Sequence, residues 1–196
     1  AKAELTDEDH AVYADAAMRA NASRWAAAPA AAKPAPRGVR IVTMPGEPGE
    51  TCVSLVDAGK DGAAPLARRC TYGLVWAASA TRNREATALA LAVQPLAAWR
   101  VLWVLHKEAD GWTVRILPPS TRGAEVGYAE FAGWAPGGRQ MLVAREAGVD
   151  GKHTRSFELM RLDTLAIERR AGDAELLGAF QRWQDPAWKR LSLSLR

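Results

Sequence analysis

From Gly38 onward the chain is a succession of short apolar or alternating runs separated by turn residues, and no clear helical period appears before Gly172. Strands are predicted at Val39 to Met44, Thr51 to Val56, Leu66 to Cys70, Tyr72 to Ala77, Thr87 to Val93, Trp99 to Lys107 and Trp112 to Leu117. Further strands are predicted at Tyr128 to Trp134, Gln140 to Arg145, Thr154 to Leu162, Ala166 to Arg170 and Leu191 to Arg196. Asp110-Gly111 between two runs signals a tight hairpin, and Pro45-Gly46 with Pro48-Gly49 marks another loop. The fold class read from this pattern is mainly β.

The N-terminal 37 residues follow a different rule. Thr6 with Asp9 three positions on forms a capping-box pattern, and an Ala-rich helix is expected over residues 1–25, with a thin apolar stripe of Tyr13, Ala16, Ala17 and Ala20. Residues 26–37 read AAAPAAAKPAPR, an Ala/Pro linker whose Pro29, Pro34 and Pro36 favour extended chain. The β domain is expected over 38–196.

Cys52 and Cys70 are the only cysteines. They flank two short runs around Gly59-Lys60-Asp61-Gly62, and their sequence midpoint is Asp61. A symmetric hairpin places the two Cβ atoms face to face, at a distance that a disulfide tolerates. Such a bond points to an oxidising compartment, periplasmic or secreted. The pair has no His or Cys companion nearby in sequence, so no metal site is assigned.

Leu74-Val75-Trp76-Ala77-Ala78 is echoed by Ala132-Gly133-Trp134-Ala135-Pro136 and again by Phe180-Gln181-Arg182-Trp183-Gln184-Asp185-Pro186. A short apolar run follows each tryptophan, and the separations are close to the ~40–50 residues of a four-stranded blade. The first unit carries a longer loop, Ser79 to Ala86. On these residues the chain resembles the TolB-like, WD40-like β-propeller repeats, whose blades carry Trp-Ser-Pro-Asp-Gly before a strand. Trp134-Ala135-Pro136-Gly137-Gly138 keeps the turn and lacks the Ser and Asp. The resemblance implies a partial propeller of antiparallel four-stranded blades. Cys52 and its neighbours would supply the outer strands of one blade, followed by two whole blades and the opening hairpin of another. About three blades do not close a ring, so a second chain or a missing segment is expected to complete it.

Net charge is +4 with a sequence pI near 9.3, carried by Arg residues scattered among apolar ones, which argues against a nucleic-acid surface. No apolar run reaches the ~20 residues that cross a bilayer. His10, His106 and His153 are far apart, and no nucleophile elbow, Walker loop or dinucleotide fingerprint is present. No catalytic residue, metal or cofactor is therefore assigned. Glu125, Glu130, Glu146 and Glu158 alternate with Arg122, Arg139, Arg145 and Arg155, a pattern of opposite charges across neighbouring strands.

Eight tryptophans are present; Trp76, Trp134 and Trp183, at matching repeat positions, are expected to pack between blades. Trp25 and Trp188 lie outside the repeat and are the candidate exposed interface anchors. The favoured role is a non-catalytic protein-interaction scaffold of the bacterial envelope or secreted space. The alternatives are a hydrolase or lyase at a propeller axis, favoured by His106 beside an acid, and a glycan-binding module using exposed Trp.

Overall fold

The computed structural model describes residues 38–60, 64–121, 126–149 and 152–191, together with positions 6, 8, 9, 12, 13, 16 and 20 of the N-terminal segment. Eleven strands appear in sequence order. They are β1 (Val39–Pro45), β2 (Thr51–Asp57), β3 (Ala67–Thr71), β4 (Leu74–Arg82), β5 (Ala88–Leu96), β6 (Trp99–Glu108), β7 (Gly111–Leu117), β8 (Val126–Trp134), β9 (Gln140–Val149), β10 (Lys152–Arg161) and β11 (Ile167–Ala171). A 3-10 turn (Ala174–Leu176) and two short helices, α1 (Gly178–Trp183) and α2 (Pro186–Leu191), follow. The protein is mainly β, as the alternating pattern predicts.

β1-β2-β3 form a three-stranded antiparallel sheet, and β4 to β11 form one eight-stranded sheet. Within the latter, β4-β5-β6-β7 and β8-β9-β10-β11 are each four-stranded sequential antiparallel meanders. Only a two-residue parallel pairing, Trp99 with Gly127 and Arg100 with Tyr128, joins one to the other. The described sheets do not close into a ring.

Successive side chains of a strand point to opposite faces, so each central strand can fill two cores. Leu89, Leu91, Val101, Trp103 and Leu105 of the middle meander pack on Val53 and Leu55 of the first sheet. Ala88, Ala90, Leu102 and Val104, on its other side, pack on Ala129, Phe131, Met141, Val143 and Met160 of the last meander. The far side of that meander, with Ala132, Leu142, Ala144, Phe157 and Leu159, is covered by Leu177, Ala179, Phe180 and Trp188. The first sheet packs on the middle meander and the middle meander on the last, and the C-terminal helices cover the far side of the last.

Here the structure corrects the sequence reading of the third repeat. Phe180 to Pro186 does not open another hairpin: Phe180 and Trp183 lie on α1, and Leu191, expected to begin a strand, ends α2. A Cβ at Gly133 would fall 2.2 Å from the Trp183 carbonyl oxygen, and Asp185 donates its N–H to the Ala132 carbonyl at 2.7 Å. The helical cap is therefore seated directly on the β8 backbone. Its aromatic contacts are edge-on, with Phe157 5.3 Å from Phe180 and Phe180 5.6 Å from Trp188 between ring centroids.

The repeat register also differs. Asn83 donates its N–H to the Ala88 carbonyl (3.0 Å), as Ala135 does to Gln140 (3.1 Å), so Arg82, not Trp76, stands where Trp134 stands. The loop expected over Ser79 to Ala86 is strand as far as Arg82, bulged between Trp76 and Thr81. Ser79 holds that bulge: its hydroxyl donates to the Trp76 carbonyl (2.7 Å) and accepts from the Ala92 N–H (2.9 Å).

At the N-terminus the capping pattern is present. Thr6 donates its N–H to Asp9 Oδ2 (2.9 Å) and accepts the Asp9 N–H on Oγ1 (3.2 Å). The rest of the expected helix, Trp25 and the linker over 26–37 lie outside the described residues, apart from the scattered positions already named. No helix among the described residues is long and apolar enough to cross a membrane.

Candidate functional site

A buried arginine lies where β8 starts beside β6. Gly127 is required at that junction, because a Cβ would sit 2.8 Å from Pro119 and 2.9 Å from the Trp99 ring. The close approach lays the Arg100 guanidinium 5.0 Å from the Tyr128 ring centroid and its Nη2 2.8 Å from Glu130 Oε1. Trp188 Nε1 donates to the other Glu130 oxygen at 3.1 Å. Arg100 is fully buried, and its burial lowers the guanidinium pKa while Glu130 and Tyr128 oppose that shift.

The next rows are Glu146 directly opposite Arg155 and Gly148 directly opposite His153 on β9 and β10. Burial pushes the Glu146 carboxyl above its ordinary range; Arg155 opposes this, Glu130 adds to it and His153 opposes it. Arg100 pairs with Glu130, which also holds Trp188, so these contacts join β6, β8 and α2, and Arg155 faces Glu146 across the β9–β10 ladder. Among these groups Glu146 has a raised proton affinity.

A second buried carboxylate, Glu158, is fully enclosed. Arg145 Nε and Arg170 Nη2 each lie 2.9 Å from its oxygens, and the Ser156 hydroxyl donates at 3.2 Å. Arg145 also donates from Nη1 to the Pro118 carbonyl at 2.8 Å, tying the strand ladder to the chain that leaves β7. The predicted cross-strand charge alternation is thus realised as Glu146 with Arg155 and Glu158 with Arg145. Glu130 instead turns to Arg100, and Arg122 and Glu125 lie outside the described residues.

His106 is the histidine with an acid at hand. Its Nδ1 lies 4.0 Å from Glu108 Oε1, but that carboxylate is already held by Arg115 and by the Thr113 hydroxyl (3.1 Å). Arg115 also donates to the Asp163 carbonyl across the gap to the last meander. Burial lowers the His106 pKa; Glu108 opposes the shift, Arg115 reinforces it and Asp163 opposes it. The group sits in an ion-paired seam rather than beside a nucleophile brought in by the described chain.

Cys52 and Cys70 stand directly opposite each other in the β2–β3 register and are joined as a disulfide, as the midpoint argument predicts. Among the described residues, Glu50 with these two cysteines is the group of His, Cys, Asp and Glu whose ligand atoms come within metal-binding reach of one another, all within 4.8 Å. Trp188 is not where the sequence reading put it: it is 4% exposed, held by Phe157, Phe180 and Glu130. It is an anchor of the cap, not an exposed surface anchor. Trp103 is likewise buried, and Trp76, Trp99, Trp112, Trp134 and Trp183 are half-buried.

The meeting of Arg100, Glu130 and Trp188 has no sequence signal, because the three lie on β6, β8 and α2. No protein-family model matches this chain, and no curated protein or solved structure matches it significantly.

Proposed function

We propose that this chain is a non-catalytic protein-interaction scaffold of propeller type, acting in the envelope or secreted space, whose incomplete first sheet takes a strand from a second chain or from a further segment. One observation carries the reading: among the described residues the first sheet has three strands, where each of the two meanders stacked behind it has four. Its edge strand β1 pairs only with β2 among the described residues. Ala58 donates its N–H to the Gly38 carbonyl and Gly46 to the Glu50 carbonyl, so even-numbered positions of β1 bond to β2. The backbone groups of Val39, Ile41 and Thr43 therefore point to the other edge. An unpaired edge is a ready template for strand addition. The side chains of Val39 and Ile41 already pack into the core shared with the middle meander, which fixes the strand's pitch. The disulfide pins β2 to β3 and suits an oxidising compartment.

The hydrolase alternative has one favouring observation, the His106–Glu108 approach. The Arg115 and Thr113 contacts to Glu108 weigh against it, and loss of any measured hydrolysis in Glu108→Gln would be needed to revive it.

Thr43→Pro tests the proposal. Thr43 is exposed and its N–H faces outward, so proline removes one edge donor and leaves the pairing with β2 in place. Native mass spectrometry of the chain purified from its own source should show a second chain bound to the wild type and lost from Thr43→Pro, with thermal unfolding little changed. Equal association of both proteins would exclude edge pairing.

A further inference from the structure

We infer that the Cys52–Cys70 pair, once reduced, is a redox-gated site for one thiophilic divalent cation of the zinc class, with Glu50 as its third protein ligand. The donor set is already gathered. Glu50 Oε2 lies 3.9 Å from Cys52 Sγ, and the Cys52 and Cys70 sulfurs lie side by side across β2 and β3. Two thiolates and one carboxylate form a set that zinc accepts, with water in the fourth position. Sulfurs about 2.3 Å from a tetrahedral zinc stand roughly 3.8 Å apart. Facing side chains on neighbouring strands reach that separation by small χ1 rotations once the bond is broken.

Two further features fit this site. The first is Gly46: a Cβ there would fall 2.3 Å from Glu50 Oε2 and 2.9 Å from Cys52 Sγ. The absent side chain is what lets the carboxylate and the sulfur share the space above the β1–β2 turn, where the Glu47 N–H also donates to Glu50 Oε2 at 3.2 Å. The second is charge. Two thiolates, one carboxylate and a dication leave one net negative charge, and Arg68 places a guanidinium nitrogen 3.3 Å from Cys52 Sγ. That cation stabilises the thiolate and neutralises the loaded site.

An external dithiol is oxidised to its own disulfide, and its two electrons break the Cys52–Cys70 bond. The metal then displaces the two thiol protons to solvent. In the oxidised chain the sulfurs are joined to each other and carry no thiolate charge, so the site is closed.

The full chain, reduced with a phosphine and freed of reductant under anaerobic conditions, is titrated with Co2+ as a spectroscopic probe while far-ultraviolet circular dichroism follows the β-structure. The expected result is one equivalent bound with a thiolate-to-cobalt absorption band, displaced by Zn2+, with the β signal retained and no band from the oxidised chain. Gly46→Ala, which removes no ligand, should weaken binding about 10-fold or more, comparable to the loss of supporting contacts at known metal sites; Glu50→Gln should weaken it at least as much. Absence of the band in the reduced wild type overturns the proposal. So does a band that appears only with loss of the β signal, which is chelation by unfolded chain, or unchanged affinity in both variants.

Discussion

The middle and last meanders are built alike and finished differently. Each turns from its first strand to its second over the same hydrogen-bonded turn, Asn83 to Ala88 in one and Ala135 to Gln140 in the other. In the last meander Gly137 (φ 84°) and Gly138 (φ 66°) supply the left-handed backbone. In the middle one Ala86 holds φ 56° without that freedom, and Asn83 compensates. The Asn83 Oδ1 accepts the Thr87 and Ala88 N–H groups (2.9 and 3.0 Å), and its Nδ2 donates to the Thr87 hydroxyl at 2.9 Å. The two turns touch, since a Cβ at Gly138 would lie 3.1 Å from Asn83 Nδ2. The matching position of each turn is thus left-handed, supplied once by glycine and once by an alanine that a buried amide supports. The faces differ as well: the middle meander is packed between two sheets, whereas the outer face of the last one depends on two six-residue helices.

The largest effect should come from removing that cap. Phe180 is fully buried at the centre of the aromatic cluster, and Phe180→Ala should cost about 3–5 kcal/mol, with unfolding measured by denaturant titration. If the last meander is as self-sufficient as the middle one, the loss will instead be within the scatter of surface substitutions. Asn83→Ala comes next, at about 2 kcal/mol, because it strands the N–H of the fully buried Ala88. A loss near zero would mean that the turn does not need its amide.

Ala86→Gly should stabilise by about 1 kcal/mol, and Gly138→Ala, at the matching position of the other turn, should destabilise by at least as much, since the left-handed region favours glycine at both. Opposite signs at these two positions would sharpen the equivalence of the turns; equal signs would break it. The smallest effect is expected at Glu146. Its folded pKa is raised, so the native state holds its proton more tightly than the unfolded chain, and stability falls as pH rises through the carboxylate range toward neutrality. Glu146→Gln should therefore gain slightly at pH 7 and lose that advantage below about pH 4. His106 acts in the opposite sense: its lowered pKa means that stability is lost as pH falls below 6.5, the unperturbed value. Thermal unfolding of the wild type, Glu146→Gln and His106→Gln across this range separates the two contributions.

Much of the fold was legible because alternation is a local signal. The eleven observed strands each overlap a predicted run, and the cysteine hairpin followed from symmetry about Asp61. The tryptophan echo misled, because Trp76 and Trp183 share a neighbourhood composition with Trp134 and not its backbone role. The left-handed turn at Ala86 carries no glycine to announce it, so the true repeat register stayed hidden.

By itself, then, the sequence determined strand positions, the disulfide and the stacking-competent alternation of apolar side chains, all set by residues a few positions apart. Tertiary structure alone decided that the C-terminal segment is a helical cap and that Trp188 is buried in it. It also decided that Arg100, Glu130 and Glu146 share one environment and that the first sheet has three strands among the described residues. An apolar segment from Leu177 to Leu191 can cover a sheet as strand or as helix, and the surface it meets, here the β8 backbone at Gly133, selects between them.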